Sequence, residues 1–107
     1  MAPRNRSRRH LLHWLIAGTR GGVNRGRLIL ELREEPMNAN QLGNALGVDY
    51  RTVRHHLDVL EKNGLVTSMG ERYGKMYFLS LELEESWDLF EEIWNEIGKR
   101  LKNDESE

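Results

Sequence analysis

The feature that most constrains the fold is a pair of short amphipathic segments joined through Gly47 and followed by a glycine-bounded hairpin. In the first segment the inward positions are Leu42, Ala45 and Leu46, spaced as on one face of a helix. Gly47 then allows a sharp turn between two helices that cross steeply. This order predicts a helix-turn-helix followed by a β-hairpin.

The second segment, residues 50–63, is predicted to be a helix that Asp49 caps and Gly64 ends. Val53 and Leu57 lie four residues apart, so they share the face that packs on the core. The opposite face is therefore held outward at a fixed angle.

Two more helices precede that unit, and a cap residue begins it. Residues 9–17 form a strongly apolar helix, and residues 25–34 form a second helix with Asn24 as its N-cap. Asn38 or Asn40 caps the first helix of the helix-turn-helix.

After Gly64 the period changes to that of strands, predicted at residues 65–69 and 75–81, and a last helix closes the chain. The fold class is mainly α with a small β-hairpin (α+β), a winged helix-turn-helix with extra N- and C-terminal helices. The predicted organisation is a disordered basic arm at 1–8 and a single winged-helix domain at 9–107, with an N-terminal helix at 9–17, a winged helix-turn-helix core at 24–81 and a C-terminal dimerisation helix at 84–102.

Length and composition exclude several classes of protein. A chain of 107 residues has room for one domain, and the absence of cysteine excludes disulfides, thiolate zinc sites and a cysteine nucleophile. The longest apolar stretch, residues 11–17, is too short to span a bilayer, and no signal-peptide cleavage pattern follows it. We expect a soluble, cytoplasmic protein without membrane contact, cofactor, metal site or catalytic residues, and thus not an enzyme.

The outward face of the predicted helix 50–63 carries hydrogen-bond donors near its N-terminus, where a helix in the major groove meets base edges. Arg51 or Arg54 could pair with guanine, and the hairpin tip offers Arg72 and Lys75 to phosphates. We expect a sequence-specific double-stranded DNA-binding protein with helix 50–63 in the major groove and wing 70–75 on the flanking backbone or minor groove. The predicted DNA-binding residues are Tyr50, Arg51, Thr52, Arg54, His55, Lys62, Arg72, Tyr73 and Lys75.

The same region resembles the recognition-helix signature of the ArsR-type winged-helix transcription regulators, in the run Thr52-Val53-x-His55-His56-Leu57-x-Val59-Leu60 followed by Gly64-Leu65-Val66. The resemblance covers about residues 24–81 and has the general cast of archaeal members. It implies a homodimeric DNA-binding regulator, often a repressor. The metal-sensing cysteines of that family would fall at Asn38 and Asn40, which are poor ligands for soft metals, so a thiolate metal sensor is not expected.

The last predicted helix has a seven-residue apolar period over nearly three heptads. This apolar stripe is wider than a small winged domain can cover, so the pattern predicts pairing with the same helix of a second subunit. Packing within its own chain is the alternative, and the two can coexist. The predicted dimer-interface residues are Trp14, Trp87, Phe90, Ile93, Trp94, Ile97 and Leu101.

Charge is polarised along the chain although the net charge is −1. Residues 1–33 carry eight arginines and one glutamate, whereas residues 82–107 carry three basic and ten acidic residues. We expect helix 9–17 to pack on the last helix, of its own or the partner subunit, with Arg8 and Arg9 near the acidic side chains. The alternative is an N-terminal arm that follows the DNA backbone.

Two other functional interpretations stay open. Winged domains also dock in larger protein complexes without reading DNA sequence, so the fold alone does not decide. An unknown effector or protein partner is possible, although no ligand constellation identifies one.

Overall fold

Six helices and a three-stranded antiparallel sheet make up the computed structural model, which describes the backbone of residues 2–105 and the side chains of residues 7–102. A π-helical turn, His13–Ala17, continues the first helix, and a 3₁₀ turn, Arg72–Gly74, joins the last two strands. The elements are α1 (Ala2–Leu12), α2 (Gly22–Glu34), β1 (Met37–Asn38), α3 (Ala39–Leu46), α4 (Tyr50–Lys62), β2 (Val66–Met69), β3 (Met76–Leu79), α5 (Leu81–Glu85) and α6 (Trp87–Glu105).

The predicted fold class is confirmed: the chain is a winged helix-turn-helix, mostly helical with a small sheet. The strand order is β1-β3-β2, and Met69 pairs with Met76 at the tip end of the β2–β3 hairpin. Strand β1 pairs Met37 with Tyr77 and was not predicted, because two residues are too few to show a strand period.

Local capping signals fix the helix-turn-helix. Asn38 accepts from the Gln41 amide at 2.8 Å, and its own amide donates to the Gln41 side chain at 2.9 Å, a reciprocal capping box. Gly47 ends α3 in the left-handed conformation with φ of 69°, and Asp49 caps α4. Ala45 is exposed, so its predicted inward position is wrong.

The core lies between α2, the helix-turn-helix and the terminal helices. Leu28 and Ile29 of α2, Leu57 of α4 and Phe90 of α6 are completely buried. Because α2 contributes to packing on both sides, it is the element that joins the helix-turn-helix to the terminal helices. Of the helices in the described range, none is both long and apolar enough to cross a membrane.

Helix α2 begins three residues earlier than predicted. Gly21, with φ of 88°, is its N-cap, and Gly22 packs so closely on the Ile16 carbonyl that a side chain would overlap it. Asn24 is therefore not the N-cap; it lies inside the helix and accepts a hydrogen bond from Arg27 at 3.3 Å.

The predicted single C-terminal helix is two helices in the structure. Ser80 caps α5 by accepting from the Leu83 amide at 3.1 Å, and the helix ends at Ser86 before α6 begins. Ser86 is buried, and its hydroxyl accepts a hydrogen bond from Arg8 at 2.6 Å. The break thus coincides with a contact from the other end of the chain.

The N-terminal segment differs from the predicted disordered arm, since α1 already begins at Ala2. At the end of this segment Arg8 contacts Ser86, and Arg9 forms a 3.0 Å salt bridge with Glu92 of α6. The expected packing of the N-terminal helix on the last helix is confirmed within this chain, where Leu12, Leu15 and Ile16 are buried. Met1 lies outside the described residues.

Three of the predicted dimer-interface residues, Phe90, Ile93 and Ile97, are buried in the core of this chain. The N-terminal helix and its π-helical turn pack on α6.

The two tryptophans of α6 are half-buried against α2. Arg33 lies over the Trp87 ring at 4.0 Å, and Gly26 is so close to Trp94 that any side chain there would overlap the indole. Trp14 and Leu101 stay exposed, at 57% and 48%. The surface left for a second subunit is thus much smaller than the sequence predicts.

Candidate nucleic-acid interface

Helix α4 is anchored by its inner face and presents its outer face to solvent. Val53 and Leu57 are buried, whereas Arg51, His55 and Lys62 are exposed. The side chains that face solvent therefore stand on a helix whose orientation is fixed by core packing.

The first turn of α4 is fixed by its cap. One Asp49 oxygen accepts from the Thr52 amide and the other from the Thr52 hydroxyl, each at 2.9 Å. The Thr52 amide, and then its hydroxyl, hold the pKa of Asp49 below its usual value near 3.8. Thr52, predicted to contact DNA, is half-buried and has its hydroxyl proton engaged in this cap.

The wing is the β2–β3 hairpin with its tip at residues 70–75. Gly70 has φ of 99° and Arg72 has φ of 52°, a left-handed conformation that turns the tip sharply. Tyr73 is 79% exposed at this tip. Lys75 is half-buried along β3, with its Nζ atom 5.9 Å from the Tyr77 ring centroid.

The wing tip and the start of α4 meet in a cleft of about 360 Å³, here named the tyrosine–arginine cleft, lined by Tyr50, Arg54, Arg72 and Tyr73. The two tyrosine ring centroids are 6.1 Å apart. Arg54 donates to the Tyr50 hydroxyl at 3.3 Å, and this hydrogen bond raises the pKa of Arg54 further. The cleft therefore combines two aromatic rings with two permanent cations.

Arg51 and Arg54 differ in their freedom to reach a ligand. Arg51 is exposed, whereas Arg54 is half-buried and its Nε atom is buried without a hydrogen-bond partner among the described residues. Arg51 can extend away from the helix toward a base edge. Arg54 lines the tyrosine–arginine cleft.

A second cleft, of about 420 Å³, adjoins the first and is lined by Asn38, Asn40, Tyr50 and Tyr73. The sequence prediction did not include the asparagines as site residues. They reach this surface because β1 pairs with β3, and a two-residue strand leaves no periodic signal that could have found them.

The predicted DNA-binding residues divide into groups in space. Tyr50, Arg54, Arg72 and Tyr73 come together in the tyrosine–arginine cleft, while Arg51 and His55 stand on the exposed face of α4. Lys62 is in the last turn, roughly 16 Å from Arg51 along the helix axis at 1.5 Å per residue. Lys62 is therefore separate from the cleft, and the contact of each of these side chains with DNA stays a prediction.

His56 of α4 is buried against Arg25 of α2 and the loop at Gly21. The spacing of adjacent helical residues indicates their directions but not which neighbour each one meets. Among the described side chains, no three His, Asp or Glu residues are grouped closely enough to hold a metal ion.

These elements, in this order and with this cationic helix beside a cationic wing, define a winged helix-turn-helix. A family model described as a helix-turn-helix domain matches residues 24–68. No curated protein matches the sequence.

Solved structures show the same fold over most of the chain. A probable transcriptional regulator from Pseudomonas aeruginosa is 20% identical, with 98% of this chain and 86% of that chain covered and a TM-score of 0.59. Reduced HlyU from Vibrio cholerae is 19% identical, with coverage of 94% and 95% and a TM-score of 0.61.

Staphylococcus aureus MarR, in complex with salicylate and kanamycin, is 16% identical over 78% of this chain, with a TM-score of 0.58. Our chain spans only 56% of the length of that structure. At these identities the similarity establishes the fold alone.

Proposed function

We propose that this protein is a sequence-specific double-stranded DNA-binding transcription regulator that places α4 in the major groove and its wing on the flanking backbone or minor groove. The observation that carries the proposal is the tyrosine–arginine cleft, where the first turn of the core-anchored helix and the wing tip present cations side by side. A helix-turn-helix uses the N-terminal part of its second helix to read bases.

The geometry favours different tasks for the two arginines of α4. The exposed Arg51 side chain suits bidentate pairing with guanine O6 and N7. Arg54 and Arg72 line a cleft with hydroxyl and aromatic groups, which suits a backbone phosphate. In this arrangement Arg51 supplies sequence preference, while the cleft sets register on the duplex.

We further propose a homodimeric repressor of the ArsR type. The motif around Thr52-Val53 supports that family, and the exposed Trp14 and Leu101 beside α6 support a second copy as their cover. A two-fold dimer would bind an inverted repeat with half-sites about 34–36 Å apart. Light scattering at micromolar concentration should report twice the chain mass; a monomer would contradict the dimer but not DNA binding.

Selection of bound sequences from a random duplex pool tests the proposal directly. We expect enrichment of one motif and an affinity that falls steeply with salt, because phosphate contacts release counterions. Arg51→Ala should weaken binding to the enriched site. Lys99→Ala, which removes one exposed positive charge from α6, is the matched control and should leave binding nearly unchanged.

A protein-docking module is the second candidate, because the wing also exposes apolar surface. Tyr73 is 79% exposed at the wing tip, and Met69 at the end of β2 and Leu81 at the start of α5 are exposed as well. A random pool that yields no enriched motif, with weak binding equal for all sequences, would favour this candidate over the regulator.

A further inference from the structure

A buried polar cluster, here named the Arg25 node, lies at the junction of α2, α4 and the end of the N-terminal helix. Arg25 is 5% exposed and His56 is 6% exposed. The Arg25 guanidinium donates to the Leu15 carbonyl at 2.9 Å, to the Thr19 hydroxyl, and faces His56 Nδ1 at 3.3 Å. One side chain thus connects the π-helical turn, the following loop and α4.

The chemistry of the node requires a neutral His56. A guanidinium has donors only, so the Nδ1 atom that faces Arg25 must accept and the ring proton must be on Nε2. Burial first, and then the charges of Arg25 and His55, lower the pKa of His56 below its usual value near 6.5. Arg25 of α2 and His55 of α4 itself are the charged or titratable groups that face this imidazole.

No carboxylate among the described residues lies within 4.0 Å of Arg25, so the node is a buried cation held by neutral acceptors. The Leu15 carbonyl is one of the last acceptors of the N-terminal helix, where the helix dipole favours a cation. The loop adapts to the node as well, because a Cβ atom on Gly21 would lie 2.9 Å from His56 Cε1. A second positive charge on His56 has no compensating group in this arrangement.

The node lies directly behind the face of α4 that is proposed to meet DNA. His56 and His55 are neighbours on α4, one inside and one on the face proposed to meet DNA. On its other side, the node is hydrogen-bonded to the Leu15 carbonyl at the end of the N-terminal helix. That helix is joined to α6 by the salt bridge between Arg9 and Glu92. The node therefore connects the N-terminal helix to α4, whose outer face is proposed to meet DNA.

We propose that Arg25 is a positioning residue for DNA binding, which holds α4 against the N-terminal helix through a neutral His56 and releases it when His56 is protonated. The proposal rests on the proposed function. The positioning role predicts that acidification weakens specific DNA binding. Protonation of His56 would place a second positive charge beside Arg25, so it favours the released position of α4. By linkage, each unit of difference in the pKa of His56 between the docked and released positions changes affinity by up to roughly tenfold.

The two adjacent histidines provide a matched experiment. His55→Asn removes the imidazole on the DNA side. His55→Asn with His56→Asn removes both imidazoles and keeps an amide oxygen at position 56 as an acceptor for Arg25. Affinity for the selected duplex is measured at pH 7.5 and pH 5.5 at constant ionic strength, and circular dichroism confirms that each variant is folded at both pH values. His10 and His13 are unchanged in both variants, so their contribution is the same in each.

We expect the single variant to lose affinity between pH 7.5 and pH 5.5, by up to roughly tenfold, and the double variant to lose little. Arg25→Met in the His55→Asn background should bind more weakly at pH 7.5 and show a flatter pH profile. If the Arg25→Met variant does not fold, the comparison of the single with the double histidine variant is sufficient to test the proposal. Equal pH dependence of the single and double variants overturns the positioning role and leaves DNA binding intact, whereas failure to select any duplex overturns both proposals.

Discussion

Helices α4 and α6 are built on the same amphipathic principle but face solvent with opposite charge. Leu57 of α4 and Phe90 of α6 are both completely buried. The outer face of α4 carries Arg51 and Lys62, whereas the outer face of α6 carries Glu92 with several other carboxylates. Apolar periodicity therefore identifies both helices, and the sign of the exposed charge indicates which one suits a polyanion.

The comparison also separates two uses of an apolar stripe. In α4 the apolar stripe packs on the core and so fixes the orientation of the exposed face. In α6 the apolar stripe packs against the N-terminal helix of the same chain. A long apolar period is thus not by itself a sign of a subunit interface. The apolar side chains that stay exposed in the folded chain, chiefly Trp14 and Leu101, are a better indication of a subunit interface.

The largest expected effect is on the free energy of unfolding, and it compares a buried with an exposed position on the apolar stripe of α6. Phe90→Ala should lower the free energy of unfolding by about 3–5 kcal/mol, because it leaves a cavity in the core. Leu101→Ala removes a side chain that this chain leaves 48% exposed and that only a second copy would cover, so at concentrations where the chain is monomeric it should change the free energy of unfolding by less than about 0.5 kcal/mol. Urea unfolding measures both, and equal losses would show that the two positions are buried alike.

The next effect tests the charged face of α4. Arg51→Ala should cost about 1–3 kcal/mol of binding free energy on the selected duplex and little on a duplex with the contacted guanine replaced. Its free energy of unfolding should stay unchanged, since the side chain is exposed. Fluorescence anisotropy against the two duplexes gives the comparison, and a uniform loss on both would assign Arg51 to a phosphate instead.

A smaller effect distinguishes the wing from the helix. Arg72→Ala should weaken binding to all duplexes by a similar factor and reduce the slope of log affinity against log salt by about one unit. A salt series with wild type and variant measures the slope. An unchanged slope together with altered sequence preference would mean that the wing reads bases.

The smallest effect concerns the cap that fixes the first turn of α4. Because the pKa of Asp49 is lowered in the folded chain, its contribution to stability is present above about pH 4 and is lost as the pH falls through the folded value. Asp49→Asn keeps a capping oxygen but removes the charge, so its stability should depend less on pH in that range. Thermal unfolding between pH 3 and pH 6 tests this, and parallel pH profiles would contradict it.

Most of the helix-turn-helix could be predicted because its signals are local. Asn38, Gly47, Asp49 and Gly64 each act within a few residues of themselves. The structure places Gly47, Asp49 and Gly64 as predicted, and of the two predicted caps Asn38 and Asn40 it has Asn38. Such signals do not require knowledge of any distant contact.

The parts that could not be predicted depend on distant partners. The break at Ser86 meets Arg8, which is 78 residues away in sequence, and the burial of His56 depends on Arg25, 31 residues away. The tyrosine–arginine cleft could be predicted only as two separate sets of side chains. Their meeting depends on how the hairpin folds back on α4, as the 6.1 Å between Tyr50 and Tyr73 shows.

The close approach of α2 and α6 at Gly26 has a consequence for how this sequence can change. Helix propensity alone would favour alanine at position 26 by about 1 kcal/mol. The Trp94 indole occupies the space that the added methyl group would need, so the usual stabilising exchange has the opposite sign here. Positions 26 and 94 therefore form a volume-conserving pair, in which a larger residue at the first is tolerated only with a smaller residue at the second.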